Sequence, residues 1–319
     1  MSMEIIHYAQ QHESVWDQWC AGSGNATFLH TRRFLGYHGN RYRDLSVLIR
    51  ESGKVVGVFP AAASPTDAGL VVSHPGATFG GIVHQGGLIG MRMEEALTEL
   101  REHYRNIGYE RLLYKAVPHI YTRTLAQDDS YALFRLGAQR ARCDLSCTID
   151  LANRQAPSER RRRCLKKAKK MVTVAGDSTS MLGELWPVIE DNLARKHNLR
   201  PAHTLEELAL LLDRFPEQIT IRCAAVAGRV EAGVVFFNSF NVWHAQYTAA
   251  SVRGYEVSAL DAVFESAIES AQQASARYFD FGVSTEDGGR VLNDGLYRFK
   301  SEFGGGGMVH ESYELDLHK

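Results

Sequence analysis

The chain has 319 residues, of which 45% are hydrophobic and 23% are charged, so its composition excludes a disordered chain and is typical of a two-domain globular protein. The whole chain carries a net charge of -1 and the run RRRRCLKKAKK at 160–170 carries +8, so the remainder carries -9. This distribution excludes the broadly basic surface of a protein built mainly to bind DNA, and it favours one local anion.

The first half alternates between the periods of strands and helices. Two β-rich runs around ESGK, within residues 45–63, predict a hairpin, and a strand near residues 70–74 follows. The glycine-rich loop HPGATFGG, at residues 74–81, leads to a predicted amphipathic helix over residues 91–107 and to a strand at RLLYKAV. The apolar face of this helix is predicted to contain Leu97, Leu100, Tyr104 and Ile107.

The basic run begins the second half. Pro157 and Ser158 suit a helix start, and the apolar stripe of Cys164, Leu165, Ala168, Met171 and Val172 predicts an amphipathic helix docked by one edge. Only some of the eight charges can then meet a common ligand, and we expect that ligand to be a phosphate. The helices MLGELWPVIEDNLARKH and TLEELALLLDRF follow, the second opened by a predicted capping box.

The second half then repeats the order of the first. A hairpin around AGR, within residues 219–237, precedes the strand NVWHAQYTAA, a helix over residues 258–274 and the strand YFDFGVS. Glycines mark both hairpins, and the helix exits NIGYERL and SARYFDF correspond. We therefore predict two duplicated α/β units, at residues 1–150 and 151–319.

Membrane and secretion signals are not recognisable in the sequence. No apolar run approaches the roughly 20 residues of a membrane helix, and the amino-terminal residues lack a basic region followed by an apolar core. Five cysteines without disulfide spacing favour a reducing compartment, so we predict a cytoplasmic protein without membrane insertion. Cys143 and Cys147 lack the second ligand pair of a zinc site, so no metal is predicted.

This order of elements resembles the GNAT acyltransferase fold, and its duplication resembles the FemAB-like peptidyltransferases. The resemblance depends on RRRRCLKKAKKMVTV, on AQYTAASVRGYEVSALDAVFESAIESA and above all on DGLYRFKSEFGG, which is similar to the end of Fem ligases. It implies two tandem GNAT-like units, each a mixed, mostly antiparallel sheet flanked by helices. It also implies acyl transfer to an amine, with acyl-CoA as donor and no metal, on a sugar- or phosphate-bearing acceptor of cell-envelope or polysaccharide biosynthesis.

The resemblance assigns the donor to the strand 242–250 and the loop after it. His244 is predicted to relay the amine proton, and Tyr247 to protonate the leaving group. The expected cofactor-binding residues are Ser251, Arg253, Gly254 and Ser258, with Ser258 and Asp261 as a capping pair at a helix start that favours phosphates. Ser251 and Glu256 depart from the CoA signature of Gln or Arg, two residues, Gly, one residue, then Gly or Ala.

The acceptor residues follow from the same resemblance. Lys300 corresponds to the lysine that meets substrate phosphate in Fem ligases, and the other expected substrate-binding residues are Tyr297, Arg298, Glu286, Lys115 and Tyr121. The acceptor is expected to be a small or nucleotide-linked molecule. Two alternatives stay open: an aminoacyl-tRNA-dependent ligase of the Fem type, with tRNA as donor, and a non-catalytic module that binds phosphate-bearing ligands.

Overall fold

A computed structural model describes residues 3–176 and 179–319, which divide into two compact units. The first unit comprises the described residues up to Asp144, together with Asp287–Arg290 and Val309–Lys319. The second comprises the described residues of Leu145–Glu286 and Val291–Met308. The sequence-based boundary at residue 150 stays a prediction about domains; by contacts the first segment ends at Asp144, and the final residues group with the first unit.

The first unit contains alternating strands and helices. In chain order they are β1 (Met3–His7), α1 (Glu13–Gly22), α2 (Arg32–Leu35), β2 (Val47–Glu51), β3 (Lys54–Phe59), β4 (Ala62–Ala63), β5 (Leu70–Val72), α3 (Met91–Asn106), β6 (Arg111–Lys115) and α4 (Asp128–Arg135). The strand β7 (Gln139–Asp150) carries the chain into the second unit.

The second unit has a longer succession of elements. They are α5 (Glu159–Ala168), β8 (Thr173–Ala175), α6 (Leu182–His197), α7 (Leu205–Arg214), β9 (Ile219–Val226), β10 (Arg229–Asn238), β11 (Val242–Ala250), α8 (Val252–Glu256), α9 (Ala259–Gln273), β12 (Tyr278–Val283), β13 (Thr285–Glu286), β14 (Val291–Leu292) and α10 (Asp294–Ser301). The last strand, β15 (Gly306–Asp316), ends in the first unit.

Each unit has a sheet in which one parallel pair is flanked by antiparallel pairs. In the first unit β5 is parallel to β6, while β4 and β15 add antiparallel neighbours, and β1, β2 and β3 form a separate antiparallel sheet. In the second unit the order is β7, β12, β11, β10, β9 and β8, and only β11 and β12 among these are parallel. The predicted fold class is therefore confirmed, including the repeated strand-helix-strand order.

Apolar helix faces cover these sheets. In the first unit Leu97, Leu100 and Tyr104 of α3 are fully buried, as their helical spacing predicts. The prediction was wrong for Ile107, which lies after the end of α3 and is 49% exposed. In the second unit α9 buries Val263, Phe264, Ala267, Ile268 and Ala271 against aromatic residues of β10 and β12. Both expected helices thus pack as amphipathic elements, each within its own unit.

Candidate active site

The parallel pair of the second unit is short. Residues Val242, Trp243 and His244 of β11 pair with Tyr278, Phe279 and Asp280 of β12. Beyond His244 and Asp280 this ladder ends, although β11 continues to Ala250 and β12 to Val283. Gly282 contributes to the separation because its φ of 77° interrupts the extended backbone of β12. The two strands therefore part immediately after a histidine and an aspartate.

Asp280 is a fully buried carboxylate whose oxygens accept several hydrogen bonds. Oδ1 accepts from the Ser146 hydroxyl, from Oγ1 of Thr148 at 3.1 Å and from the Gly282 amide at 3.1 Å. Oδ2 lies 2.9 Å from Nδ1 of His244. Donors from three separate segments thus hold the carboxylate in one orientation, and hydrogen bonds of this kind stabilise a buried charge.

The His244 side chain is only 12% exposed and is oriented by Asp280. Because an ionised carboxylate can only accept, Nδ1 is assigned as the donor, which leaves the lone pair of neutral imidazole on Nε2. Such a carboxylate fixes both the tautomer and the ring orientation. The pair therefore has the arrangement of a general base with a positioning carboxylate.

Lys300 lies close to the same point. Its ammonium donates to the carbonyl oxygens of Gly282 at 2.8 Å and Val283 at 2.7 Å, and the residue is 7% exposed. Burial lowers the pKa of the Lys300 side chain to about 8, although nearby Asp280 and Cys147 oppose this shift. Lys300 is therefore a buried cation that contacts Gly282, the residue whose amide donates to Asp280.

Gly282 connects His244 with Lys300. A Cβ built on Gly282 would lie 3.5 Å from Cε1 of His244, and the Gly282 carbonyl accepts from Lys300. Ser284 follows shortly after on the chain; it is 1% exposed, and its Oγ has no hydrogen-bond partner among residues 3–176 and 179–319. A buried hydroxyl without a described partner is costly, and Ser284 lies only two residues after Gly282 in the chain, so it is a candidate for contact with a substrate.

Tyr247 lies farther along β11 and is engaged with a histidine. Its hydroxyl lies 2.6 Å from Nδ1 of His203 and accepts from the His203 amide at 3.2 Å. Burial raises the pKa of the Tyr247 hydroxyl above its usual value. The proton-donor role expected for Tyr247 stays a prediction; the structure places its hydroxyl in a buried pair with His203.

Three of the expected cofactor-binding residues belong to the short helix α8: Arg253 and Gly254 lie within it, and Ser251 caps its start. The Ser251 hydroxyl accepts from the Gly254 amide at 2.9 Å and donates to the carboxylate of Glu231. Gly254 is buried, and a Cβ there would overlap the carbonyl oxygen of Glu231. Arg253 forms an exposed ion pair with Glu256 at 2.9 Å. Close packing against the backbone of Glu231 in β10 therefore accounts for a glycine at position 254, and the carboxylates of Glu231 and Glu256 contact residues of this loop.

The predicted capping pair of Ser258 and Asp261 was wrong. Ser258 has the left-handed conformation, with φ of 60°, and its side chain makes no capping hydrogen bond. Asp261 instead forms an ion pair with Arg161, a residue of the basic helix α5 that is only 2% exposed. A buried guanidinium needs a charged partner, so this requirement prevails over the local capping rule.

The remaining acceptor candidates of the second unit lie at its surface. Arg298 is exposed and pairs with Asp294 at 3.2 Å, and exposed Glu286 accepts from the Asn293 side chain at 2.9 Å. Tyr297 is half-buried, and burial raises its pKa. Their contribution to substrate binding stays a prediction.

Two acceptor candidates belong to the first unit. Lys115 donates to the carbonyl oxygens of His74, at 2.7 Å, and of Ala77, so it closes the loop at residues 74–77. Burial lowers the pKa of Lys115 to about 7. Tyr121 is 4% exposed, and its ring centroid lies 4.7 Å from that of Phe79. Both side chains thus have structural contacts, and their acceptor roles stay predictions.

Sequence reasoning missed several residues of this site, namely Asp280, Gly282, Ser284, Ser146 and Thr148. Asp280 lies in the DFG tripeptide, whose comparison with kinases finds no supporting motif. Aligning β11 and β12 as a parallel pair would have placed Asp280 opposite His244. The other four depend on how three separate segments meet, which no local motif reports.

Two further observations concern ligands and membranes. Within the part of the chain that the structure describes, no group of three His, Cys, Asp or Glu side chains is placed to hold a metal ion. Among the helices of those residues, none is long and apolar enough to cross a bilayer. The five cysteines are free thiols, and burial raises the pKa of Cys147 to about 12.

Known structures share this arrangement over nearly the whole chain. FemX is 11% identical with a TM-score of 0.69, covering 98% of this chain and 97% of its own. L-PGS from Bacillus licheniformis is 12% identical with a TM-score of 0.64, covering 98% and 94%. A tandem GNAT protein from the clavulanic acid biosynthesis pathway is 11% identical with a TM-score of 0.57, covering 100% and 99%. The fold of this chain is thus similar to the folds of FemX, L-PGS and a tandem GNAT protein.

Family comparison adds the type of domain. Residues 154–301 match the model of the acetyltransferase (GNAT) domain, and this range contains His244, Asp280 and Lys300. Comparison with curated proteins gives no match. The second unit therefore contains most of the range that matches a GNAT domain, and the fold of the whole chain is similar to that of a tandem GNAT protein.

Proposed function

We propose that the protein transfers an acyl group from acyl-CoA to the amine of an anionic acceptor that bears phosphate or sugar. The observation that supports this most directly is the His244–Asp280 pair, at the point where β11 and β12 part. A neutral amine must lose a proton as it attacks a carbonyl, and an oriented histidine performs this task at neutral pH.

The reaction follows from the positions of these groups. The amine nitrogen attacks the thioester carbonyl while Nε2 of His244 takes the amine proton, and the imidazolium is stabilised by Asp280. The tetrahedral intermediate then expels the CoA thiolate, so a C–N bond replaces a C–S bond. Lys300 and the hydroxyl of Ser284 are our candidates for contact with the acceptor, because one is a buried cation and the other is a buried hydroxyl without a partner among the described residues.

The parting of β11 from β12 supports an extended donor. Beyond His244 the edge of β11 that faced β12 no longer takes part in that ladder. Backbone groups along such an edge can pair with the amides of an extended ligand, and the pantetheine arm of CoA contains two amides. We therefore propose that pantetheine lies along residues 245–250, with its thioester directed towards His244.

A second donor is favoured by the loop at α8. Glu231 and Glu256 place negative charge beside Gly254, and Gly254 is closely packed against the backbone of Glu231. This loop is a poor environment for a pyrophosphate, because the carboxylates would repel its negative charge. In addition, Gly254 is packed closely against the backbone of Glu231. An aminoacyl-tRNA donor is the candidate that would not need a pyrophosphate there.

Release of CoA thiol tests the proposal. Purified protein is incubated with acetyl-CoA and a set of amino sugars, amino-sugar nucleotides and phosphate-bearing amines, and the free thiol is measured with a colorimetric reagent. We expect amine-dependent thiol release by the wild type and by His318→Gln, an exposed control, and its loss in His244→Gln. If no amine releases thiol while the protein deacylates aminoacyl-tRNA in the presence of acceptor, the donor is aminoacyl-tRNA.

A further inference from the structure

The basic helix α5 has two clearly different sides. At 100° per residue, its docked residues fall within an arc of about 100°; they are Arg161, Cys164, Leu165 and Ala168, which are buried or half-buried. The opposite half of the helix and the turn after it carry seven exposed cations, together with one exposed acidic residue, Glu159, and the exposed Met171. This basic face consists of Arg160, Arg162, Arg163, Lys166, Lys167, Lys169 and Lys170.

Arg161 fixes the orientation of the basic face. Its guanidinium pairs with Asp261 and lies 3.1 Å from Glu302, and the rings of Phe299 and Phe303 lie 4.3 Å from its central carbon. Removing Asp261 or Glu302 would leave the buried charge of Arg161 incompletely paired, which is costly. The helix therefore cannot rotate about its axis without breaking this cluster, and the basic face stays directed outward.

Most of the basic face lacks internal neutralisation. Arg162 pairs with Glu159, and Arg160 lies 3.8 Å from Glu302. The other five cations have no acidic group within 4.0 Å among the residues that the structure describes. Like charges three or four positions apart on a helix repel each other, so this arrangement lowers stability without an external anion. The rest of the chain carries -9, which would turn the basic face towards an anionic surface.

Features of the segment favour a lipid surface over a nucleic acid. Single-stranded nucleic acids are bound largely by stacking on aromatic side chains, and residues 158–171 contain no aromatic residue. Met171, 44% exposed, lies at the end of the basic face and supplies an apolar contact. A helix with a dense Lys and Arg face beside an apolar side chain is typical of attachment to anionic lipids. We propose that the basic face docks the protein peripherally on an anionic phospholipid bilayer.

Vesicle binding tests this proposal on the full chain. We expect the protein to co-sediment with mixed vesicles of phosphatidylcholine and phosphatidylglycerol but not with phosphatidylcholine alone. Binding should weaken as salt is raised, because the attraction falls off within a Debye length. Absence of binding to the mixed vesicles at low salt would overturn the proposal. The proposal would also be overturned if transfer RNA displaced the protein from the vesicles at a phosphate concentration lower than that of the exposed lipid phosphates.

A matched pair of variants locates the binding surface. Changing Arg163, Lys166, Lys167 and Lys170 to Gln should weaken vesicle binding roughly several hundredfold, at about fivefold per charge. The control changes Arg43, Lys54, Arg200 and Arg229 to Gln; these exposed cations lie outside the basic face, so the net charge changes equally. Equal weakening in both variants would contradict the proposal. Circular dichroism and acyl transfer to a soluble amine should be unchanged in both.

Discussion

Nδ1 of His244 and Oδ2 of Asp280 lie 2.9 Å apart across the last residue pair of the parallel β11–β12 ladder. The aspartate is completely buried and accepts from two hydroxyls and an amide besides the imidazole. Its orientation is therefore set by β7 and β12 before any substrate arrives. The hydrogen bond to Asp280 then fixes the orientation of the imidazole, and efficient proton transfer requires a fixed orientation.

Asp280→Asn should separate positioning from binding. The amide keeps the shape of the carboxylate but can donate to Nδ1, which favours the wrong imidazole tautomer. We expect kcat to fall by about 10²- to 10⁴-fold with a much smaller change in KM. Steady-state kinetics of the variant and of Asp213→Asn, an exposed control, provide the measurement. An unchanged kcat in Asp280→Asn would remove the pair from the mechanism.

Ser284→Ala should leave the fold intact and impair the reaction. Because the Ser284 hydroxyl is buried without a described partner, its removal should keep or raise the free energy of unfolding, by up to about 1 kcal/mol. If the hydroxyl contacts substrate, kcat/KM should fall by about tenfold. Ser146→Ala is the comparison, since it removes a donor to Asp280 and should lower both stability and activity. Unchanged kcat/KM in Ser284→Ala would rule out a substrate contact.

Lys300 should make stability depend on pH in the alkaline range. Burial lowers its pKa from 10.5 to about 8, so the unfolded chain binds more protons than the folded chain between these values. The free energy of unfolding contributed by Lys300 therefore rises with pH from about 8 to 10.5, by about 3 kcal/mol in total. Urea denaturation of the wild type and Lys300→Met at several pH values should show this difference. Lys166→Met, an exposed control, should follow the wild type.

Gly254→Ala distinguishes a packing role from a donor role. The added Cβ would overlap the carbonyl oxygen of Glu231, so we expect the free energy of unfolding to fall by about 1–3 kcal/mol. Gly183→Ala is the control, because a Cβ there meets no atom of the described residues within 4 Å and alanine favours the helix α6 by about 0.5–1 kcal/mol. If Gly254→Ala had normal stability but bound the donor more weakly, we would conclude that Gly254 binds the donor.

Local patterns predicted the elements of this protein well, because strands and helices depend on periods within short windows. The order of elements, the amphipathic faces and His244 on its strand are all visible in this way. Asp280 could not be found so directly, since its pairing with His244 spans 36 positions and depends on which strands are neighbours. The same limit explains Asp261, which a local rule assigns to a cap and which pairs instead with Arg161, 100 positions earlier.

Lys300 shows a different limit of sequence reasoning. The sequence identifies Lys300 as a cation, and the resemblance to Fem ligases assigns it to a substrate phosphate. The carbonyls of Gly282 and Val283 that hold it are backbone groups, which every residue possesses and no motif reports. Its environment therefore required the structure, and its contact with an acceptor requires the experiment.

The last strand has a consequence for the order in which the protein forms. β15 pairs with β6 in the first unit, and Arg111 and Glu314, which lie 3.2 Å apart, are 203 positions apart along the chain. During synthesis on the ribosome the residues of β6 emerge long before this partner exists. The first unit therefore cannot complete its sheet until translation reaches β15, whereas the second unit has its own strands available earlier. Shortening the chain at its carboxyl end would damage the unit that is made first.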